Sequence, residues 1–181
     1  ELDCAGYTIT FDTGGGGSDY GIYAKNRTGI NITGCTIRDT NVGGASGYGI
    51  FFLNVNNSNV INNTIQTNGT STNYGIHIQY NSSNNTIANN TIRTRGTSTS
   101  NYGVYLLTHN TYGNVTDILI ENNTIITNGT LICYGIDIET NNAASVFLAN
   151  NRINNNTIIT DSTSAGNSFG VYLYNGNRGN Y

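Results

Sequence analysis

The sequence predicts an all-β fold, a parallel solenoid of about six coils, from three observations: a repeat of nearly constant length, period-two alternation of apolar residues inside it, and no proline in 181 residues. Two motifs alternate along the chain. An aromatic-Gly-aliphatic triplet recurs at Tyr20-Gly21-Ile22, Tyr48-Gly49-Ile50, Tyr74-Gly75-Ile76, Tyr102-Gly103-Val104, Tyr134-Gly135-Ile136 and Phe169-Gly170-Val171. Between these, the chain returns to Thr-Ile, with Ile9, Ile37, Ile65, Ile92, Ile125 and Ile158 as the key residues, usually after Asn-Asn. Successive key isoleucines are 28, 28, 27, 33 and 33 residues apart, while the step from each Thr-Ile to the next triplet stays at 9 to 11. The late lengthening therefore falls in one corner, at Asn110 to Asp117 and Asn141 to Asn151. Proline lacks the N–H that a ladder needs, so a chain whose backbone donors nearly all serve in ladders excludes it.

Each coil has three short strands. The first points Cys4, Ile32, Val60, Ile87, Ile120 and Ile153 inward as one column. A turn follows, whose first residue is Gly6, Gly34, Asn62, Asn89, Asn122 or Asn155. Glycine and asparagine are the residues that tolerate left-handed backbone, so this position is a left-handed corner. The next position is Tyr7, Cys35, Asn63, Asn90, Asn123 or Asn156, and four stacked asparagines can pass amide hydrogen bonds from coil to coil. The second strand carries the inward Ile of Thr-Ile, with its threonines forming an outward ladder. A Gly/Ser/Thr corner, Gly14 to Gly17 and Gly43 to Gly47 in the first two coils, leads to the third strand, whose inward pairs begin with Ile22/Ala24 and end with Val171/Leu173. At about 4.8 Å per coil the stack is roughly 29 Å tall, a single domain spanning residues 1–181.

Composition excludes several classes of function. Only 9% of residues are charged, and seven Lys and Arg against ten Asp and Glu leave no basic stripe for a nucleic-acid backbone. No apolar run approaches the roughly 20 residues of a membrane-spanning helix. There are 33 Asn and 26 Thr but no Met or Trp. The two histidines, His77 and His109, with three dispersed cysteines, supply no metal-ligand cluster, and no cofactor motif is present.

Through Leu2-Asp3-Cys4-Ala5-Gly6-Tyr7-Thr8-Ile9, the triplets and the Asn-Asn-Thr-Ile turns, the chain resembles the right-handed parallel β-helix repeats of NosD-like and carbohydrate-binding or carbohydrate-cleaving proteins. In composition and architecture it also resembles surface-layer and sheath proteins of methanogenic archaea. The resemblance implies the right hand of the helix and, more loosely, a place on the cell surface. Because one solenoid hosts many functions, activity has to be read from the residues.

The outward positions of the third strand read Tyr23/Lys25, Phe51/Leu53, His77/Gln79, Tyr105/Leu107, Asp137/Glu139 and Tyr172/Tyr174. Seven of these twelve, Tyr23, Phe51, Leu53, Tyr105, Leu107, Tyr172 and Tyr174, make an aromatic and leucine face suited to assembly or to stacking sugars. Asp137 and Glu139 are the one close outward carboxylate pair. They would be the acid and base of a glycan-cleaving site, but no Lys or Arg occupies those rungs, and a solubilising break in the face is the preferred reading. The leading functional expectation is a non-enzymatic, extracellular structural protein that assembles with copies of itself into a sheath, layer or filament. The competing expectation is a carbohydrate-binding or carbohydrate-cleaving module that takes a glycan beside Asp137, Glu139, Tyr105 and Tyr172.

Three further expectations concern assembly and modification. Cys133 is expected in an exposed corner, some four coils from Cys4 and Cys35 and too far to pair with either, which points to an intermolecular disulfide; a buried free thiol is the plain alternative for Cys35. Among twelve N-x-[ST] sequons, Asn68 and Asn128 are the glycosylation candidates, both Asn-Gly-Thr in a flexible corner. Finally, the first coil lacks a preceding triplet and the last lacks a following Thr-Ile. Stacking Phe169, Val171 and Leu173 of one copy on Cys4 and Ile9 of the next would continue the ladder; equally, flanking residues of a longer chain would cap it.

Overall fold

The computed structural model describes residues 1–14, 17–97, 100–109, 113–141, 148–164 and 166–174, and every regular element in them is a β-strand. Three six-stranded parallel sheets wrap one core. The first stacks Leu2–Asp3, Asn31–Thr33, Asn59–Ile61, Thr86–Ala88, Leu119–Glu121 and Arg152–Asn154. The second stacks Thr8–Phe11, Thr36–Asp39, Thr64–Thr67, Thr91–Gly96, Thr124–Gly129 and Thr157–Ser162. The third, the triplet sheet, stacks Ser18–Thr28, Ser46–Asn56, Asn73–Gln79, Ser100–His109, Ile132–Asn141 and Ser168–Tyr174. The register runs Ile9, Ile37, Ile65, Ile92, Ile125, Ile158, five turns from first to last, so like residues stack on like. No helix among the described residues is long and apolar enough to cross a membrane.

The core is the inward columns, with Ile37, Ile65, Ile92 and Ile125 of the second sheet meeting Ile50, Ile76, Val104 and Ile136 of the third, all fully buried. The triplet glycine marks a corner where backbone crowds the core. A methyl group on Gly75 would lie 2.2 Å from Ile92 Cγ2 and 2.5 Å from the carbonyl oxygen of Gly103. Gly21, Gly49, Gly103 and Gly135 are crowded in the same way, which is why the motif keeps glycine in the coils from Gly21 to Gly135.

The turn after the first sheet is left-handed as expected, at φ 59° for Asn62, 57° for Asn89, 55° for Asn122 and 50° for Asn155. The inner asparagines then form a ladder. The backbone N–H of Cys35 donates to Asn63 Oδ1, that of Asn63 to Asn90, that of Asn90 to Asn123 and that of Asn123 to Asn156, each at 2.9 Å. The side-chain amides of Asn63, Asn90 and Asn123 repeat the link at 3.1, 3.0 and 2.9 Å.

In three respects the structure departs from the sequence reading. Leu2, not Cys4, pairs with Ile32, because the first turn holds two extra residues closed by the Tyr7 N–H on Cys4 O. Cys4 is thereby placed against the turn below and is disulfide-bonded to Cys35, with Cα atoms 4.7 Å apart. Neither cysteine is a free thiol, and Cys4 is not an open end-contact residue. Secondly, a further three-stranded sheet, Ser82–Ser83, Val115–Thr116 and Leu148–Ala149, fills the corner after the triplet sheet. Thirdly, the turn beyond it is a second left-handed column, at Gly29, Asn57, Asn84, Asp117 and Asn150. It is followed by a second inner ladder, in which the N–H groups of Ile30, Ser58 and Ile118 donate to Ser58 Oγ, Asn85 Oδ1 and Asn151 Oδ1. The spelling Asn84-Asn85-Thr86-Ile87 repeats the Asn-Asn-Thr-Ile of the other turn and was the available signal. Much of the lengthened corner, 110–112 and 142–147, and the middle of the Gly14 to Gly17 corner lie outside the described residues.

Candidate functional site

The outer face of the triplet sheet is a double column of rings. Because the coils are in register, each triplet aromatic stands over the last, with centroids 4.9 Å apart for Tyr20 and Tyr48, 5.2 Å for Tyr48 and Tyr74, 5.1 Å for Tyr74 and Tyr102, and 5.0 Å for Tyr102 and Tyr134. The neighbouring column stacks Tyr23 on Phe51 at 5.4 Å, Phe51 on His77 at 4.8 Å and His77 on Tyr105 at 4.8 Å. Pairs such as Tyr102 and Tyr134 spend their faces on each other, whereas Tyr48 and Tyr74 meet edge to face.

That stacking changes the expected assembly face. Tyr105 is buried at 7% exposure; Phe51, Leu53, Leu107 and Tyr172 are half-buried; Tyr23 at 50% and Tyr174 at 45% remain exposed, near the two ends of the column. A residue judged alone looks outward and wet, whereas six copies in register bury one another. Phe169, Val171 and Leu173 on the last described rung are 40%, 41% and 51% exposed, and Ile9 is half-buried.

Two ionisable groups interrupt the aromatic column. His77 lies between Phe51 and Tyr105, buried, with neither ring nitrogen hydrogen-bonded. Burial lowers its pKa to about 3, so it is neutral. Asp137 pairs in register with Tyr105 on one side and Tyr172 on the other, is wholly buried, and has among the described residues no hydrogen-bond partner for either carboxylate oxygen. Burial first, and the adjacent Glu139 second, push it up to about 8, so at neutral pH it carries its proton. Glu139 is half-buried and accepts a 3.1 Å hydrogen bond from the Tyr105 hydroxyl, whose own ionisation burial and Glu139 suppress. Among the described residues no three His, Cys, Asp or Glu side chains converge in a way that could hold a metal ion.

The remaining expectations fall elsewhere. Cys133 is not in an exposed corner: it is fully buried within its strand, in register with Asn101 and Ser168, and burial raises its thiol to about 11. So placed, it presents no sulfur to a second molecule; the period-two alternation turns it inward, one residue before the outward ring of Tyr134. Asn68 is half-buried and its side-chain amide donates to the Asp39 carbonyl at 3.0 Å, whereas Asn128 is exposed but lies inside a strand rather than a flexible corner.

Stacked parallel strands, left-handed asparagine corners and self-stacking columns define the class as a parallel β-solenoid. The chain belongs to the right-handed β-helix family: the model of the right-handed beta helix region matches residues 5–181. No curated protein and no solved structure matches it.

Proposed function

We propose that this protein is a non-enzymatic structural solenoid, working outside the cell as a self-assembling subunit of a sheath, layer or filament. The observation that carries this reading is the aromatic column itself. Its rings pack on one another at 4.8 to 5.4 Å and bury Tyr102, Tyr105 and Tyr134 in the middle coils, so it serves there as an external spine stiffening the coil rather than as a platform for a sugar ring. The Cys4–Cys35 disulfide supports an oxidising compartment. The apolar side chains of the last described rung support continuation of the stack by a second copy or by further coils of a longer chain. Electron microscopy and sedimentation of the full-length protein test the proposal. Concentration-dependent rods or sheets that are lost on Val171→Lys with Leu173→Lys are expected; a monomer at every concentration overturns self-assembly.

One observation favours a second reading, glycan cleavage. Asp137 keeps its proton at neutral pH beside Glu139, the protonation state a general acid requires. Against it stand the complete burial of Asp137 and the absence of a cationic side chain from its rung. Reducing-end release from a glycan panel, abolished by Asp137→Asn, would establish that reading in place of the first.

A further inference from the structure

The chain has seven Lys and Arg, and three of them, Arg38, Arg93 and Arg95, surround one groove of about 300 Å³ on the outer face of the second sheet. Arg38, Gln66 and Arg93 are consecutive members of one outward column, so the two arginines are two rungs, about 10 Å, apart. Arg95 follows Arg93 on the same strand and the same face, about 7 Å away. All three are exposed, and none makes a hydrogen bond or an ion pair within the described residues. Among the described residues no carboxylate lines the groove. Asp39, next to Arg38, points into the core and is held by the N–H groups of Asn41 and Asn68. Asp161, the acid nearest in register, is two rungs beyond Arg95, with Asn128 between. The groove runs into a second hollow of about 260 Å³, which shares Val42, Asn68 and Arg95 and adds Thr97 and Asn128.

Three uncompensated guanidinium groups on one face repel one another and do nothing for the fold, in a protein that otherwise carries little charge. A guanidinium fork binds carboxylate and sulfate with two parallel hydrogen bonds. Gln66 and Thr97 offer neutral donors and acceptors of the kind that bind hydroxyl groups, and Asn68 and Asn128, whose amides already donate to the Asp39 carbonyl and the Asp161 carboxylate, add their carbonyl oxygens as acceptors. We infer that the Arg38/Arg93/Arg95 groove binds an acidic polysaccharide, with oxyanions about 7 to 10 Å apart on the arginines and sugar hydroxyls on the amides. The inference is independent of the structural reading above, since an envelope subunit and an isolated module could both use such a site.

Affinity electrophoresis of the whole chain against heparin (sulfate and carboxylate), hyaluronan (carboxylate alone) and neutral dextran tests it. Retardation by one or both acidic chains and none by dextran is expected. Arg93→Gln with Arg95→Gln should weaken it by about tenfold or more, and Arg93→Lys with Arg95→Lys, which keeps the charge without the fork, by less. The other basic pair on the triplet sheet is the control: Lys25→Gln with Arg27→Gln should leave binding unchanged. Binding to heparin but not hyaluronan would identify sulfate as the group recognised. No retardation by either acidic chain, equal retardation by dextran, or equal loss in the control variant would each overturn the site, with an unchanged circular dichroism spectrum showing that the variants remain folded.

Discussion

The inner asparagine ladder and the outer aromatic column obey the same geometry with opposite results. Both repeat one side chain per coil at the strand spacing. Asn90 accepts from the Asn63 N–H and amide, while its own amide donates to Val60 O and to Asn123 Oδ1, so a buried polar group is completely satisfied. In the aromatic column, His77 and Asp137 are also buried, and among the described residues neither side chain has a hydrogen-bond partner. A stacked column accepts whatever complements its own copy. An amide is donor and acceptor at once, and a ring stacks on a ring. An imidazole set between rings can stack but finds no hydrogen bond, a carboxylate there finds neither, and both stay neutral instead.

The comparison is broken most severely from the inside. Asn90→Leu should leave the Asn63 N–H without its acceptor in the core, remove the amide's bonds to Val60 O and Asn123 Oδ1, and cost on the order of 4 kcal/mol in denaturant unfolding. A loss under about 1 kcal/mol would mean that the ladder is not cooperative. The covalent end of the same ladder comes next. Reducing Cys4–Cys35 opens a 31-residue separation and should cost about 3 kcal/mol, appearing in hydrogen exchange as lost protection in Leu2–Phe11 while the middle coils keep theirs.

The outer column should declare itself through pH. Asp137 has its folded pKa raised from 3.8 to about 8, so the folded state retains a proton that the unfolded chain has lost, and its contribution falls as pH rises between those values. His77 has its folded pKa lowered from 6.5 to about 3, so its contribution rises with pH over that range. The two slopes oppose each other from about pH 4 to 6.5, and above that, of these two groups, Asp137 alone acts. Stability should therefore decline by about 1.4 kcal/mol per pH unit from pH 6.5 toward 8, and Asp137→Asn should remove the decline. A flat wild-type profile there would contradict the burial of the carboxyl. The smallest effect is at Glu139. Glu139→Gln should cost about 1 kcal/mol through the Tyr105 bond, and, by removing the neighbouring charge, should move the Asp137 midpoint downward in a carboxyl NMR titration.

The repeats, the key isoleucines, the triplet glycines and the asparagine corners are legible in the chain because each is a local demand, an inward Cβ, a close approach or a left-handed φ, that recurs in sequence at the coil period. The second asparagine ladder was equally legible at Asn84-Asn85-Thr86-Ile87, hidden only because it shares its spelling with the first. The Arg38, Arg93 and Arg95 groove was not: those residues are 55 and 2 positions apart and become neighbours only when Gln66 is known to lie between them in one column.

The sequence by itself determined the strand periodicity, the stacking of like on like and the position of the left-handed turns, since these follow from residue type and spacing. Only the tertiary structure decided that Cys4 slips two residues to reach Cys35, that Cys133 faces inward, and that Asp137 and His77 are buried by rings from other coils. Burial and pairing depend on what stands one rung above and below, and that depends on register, which a single changed turn length can reset.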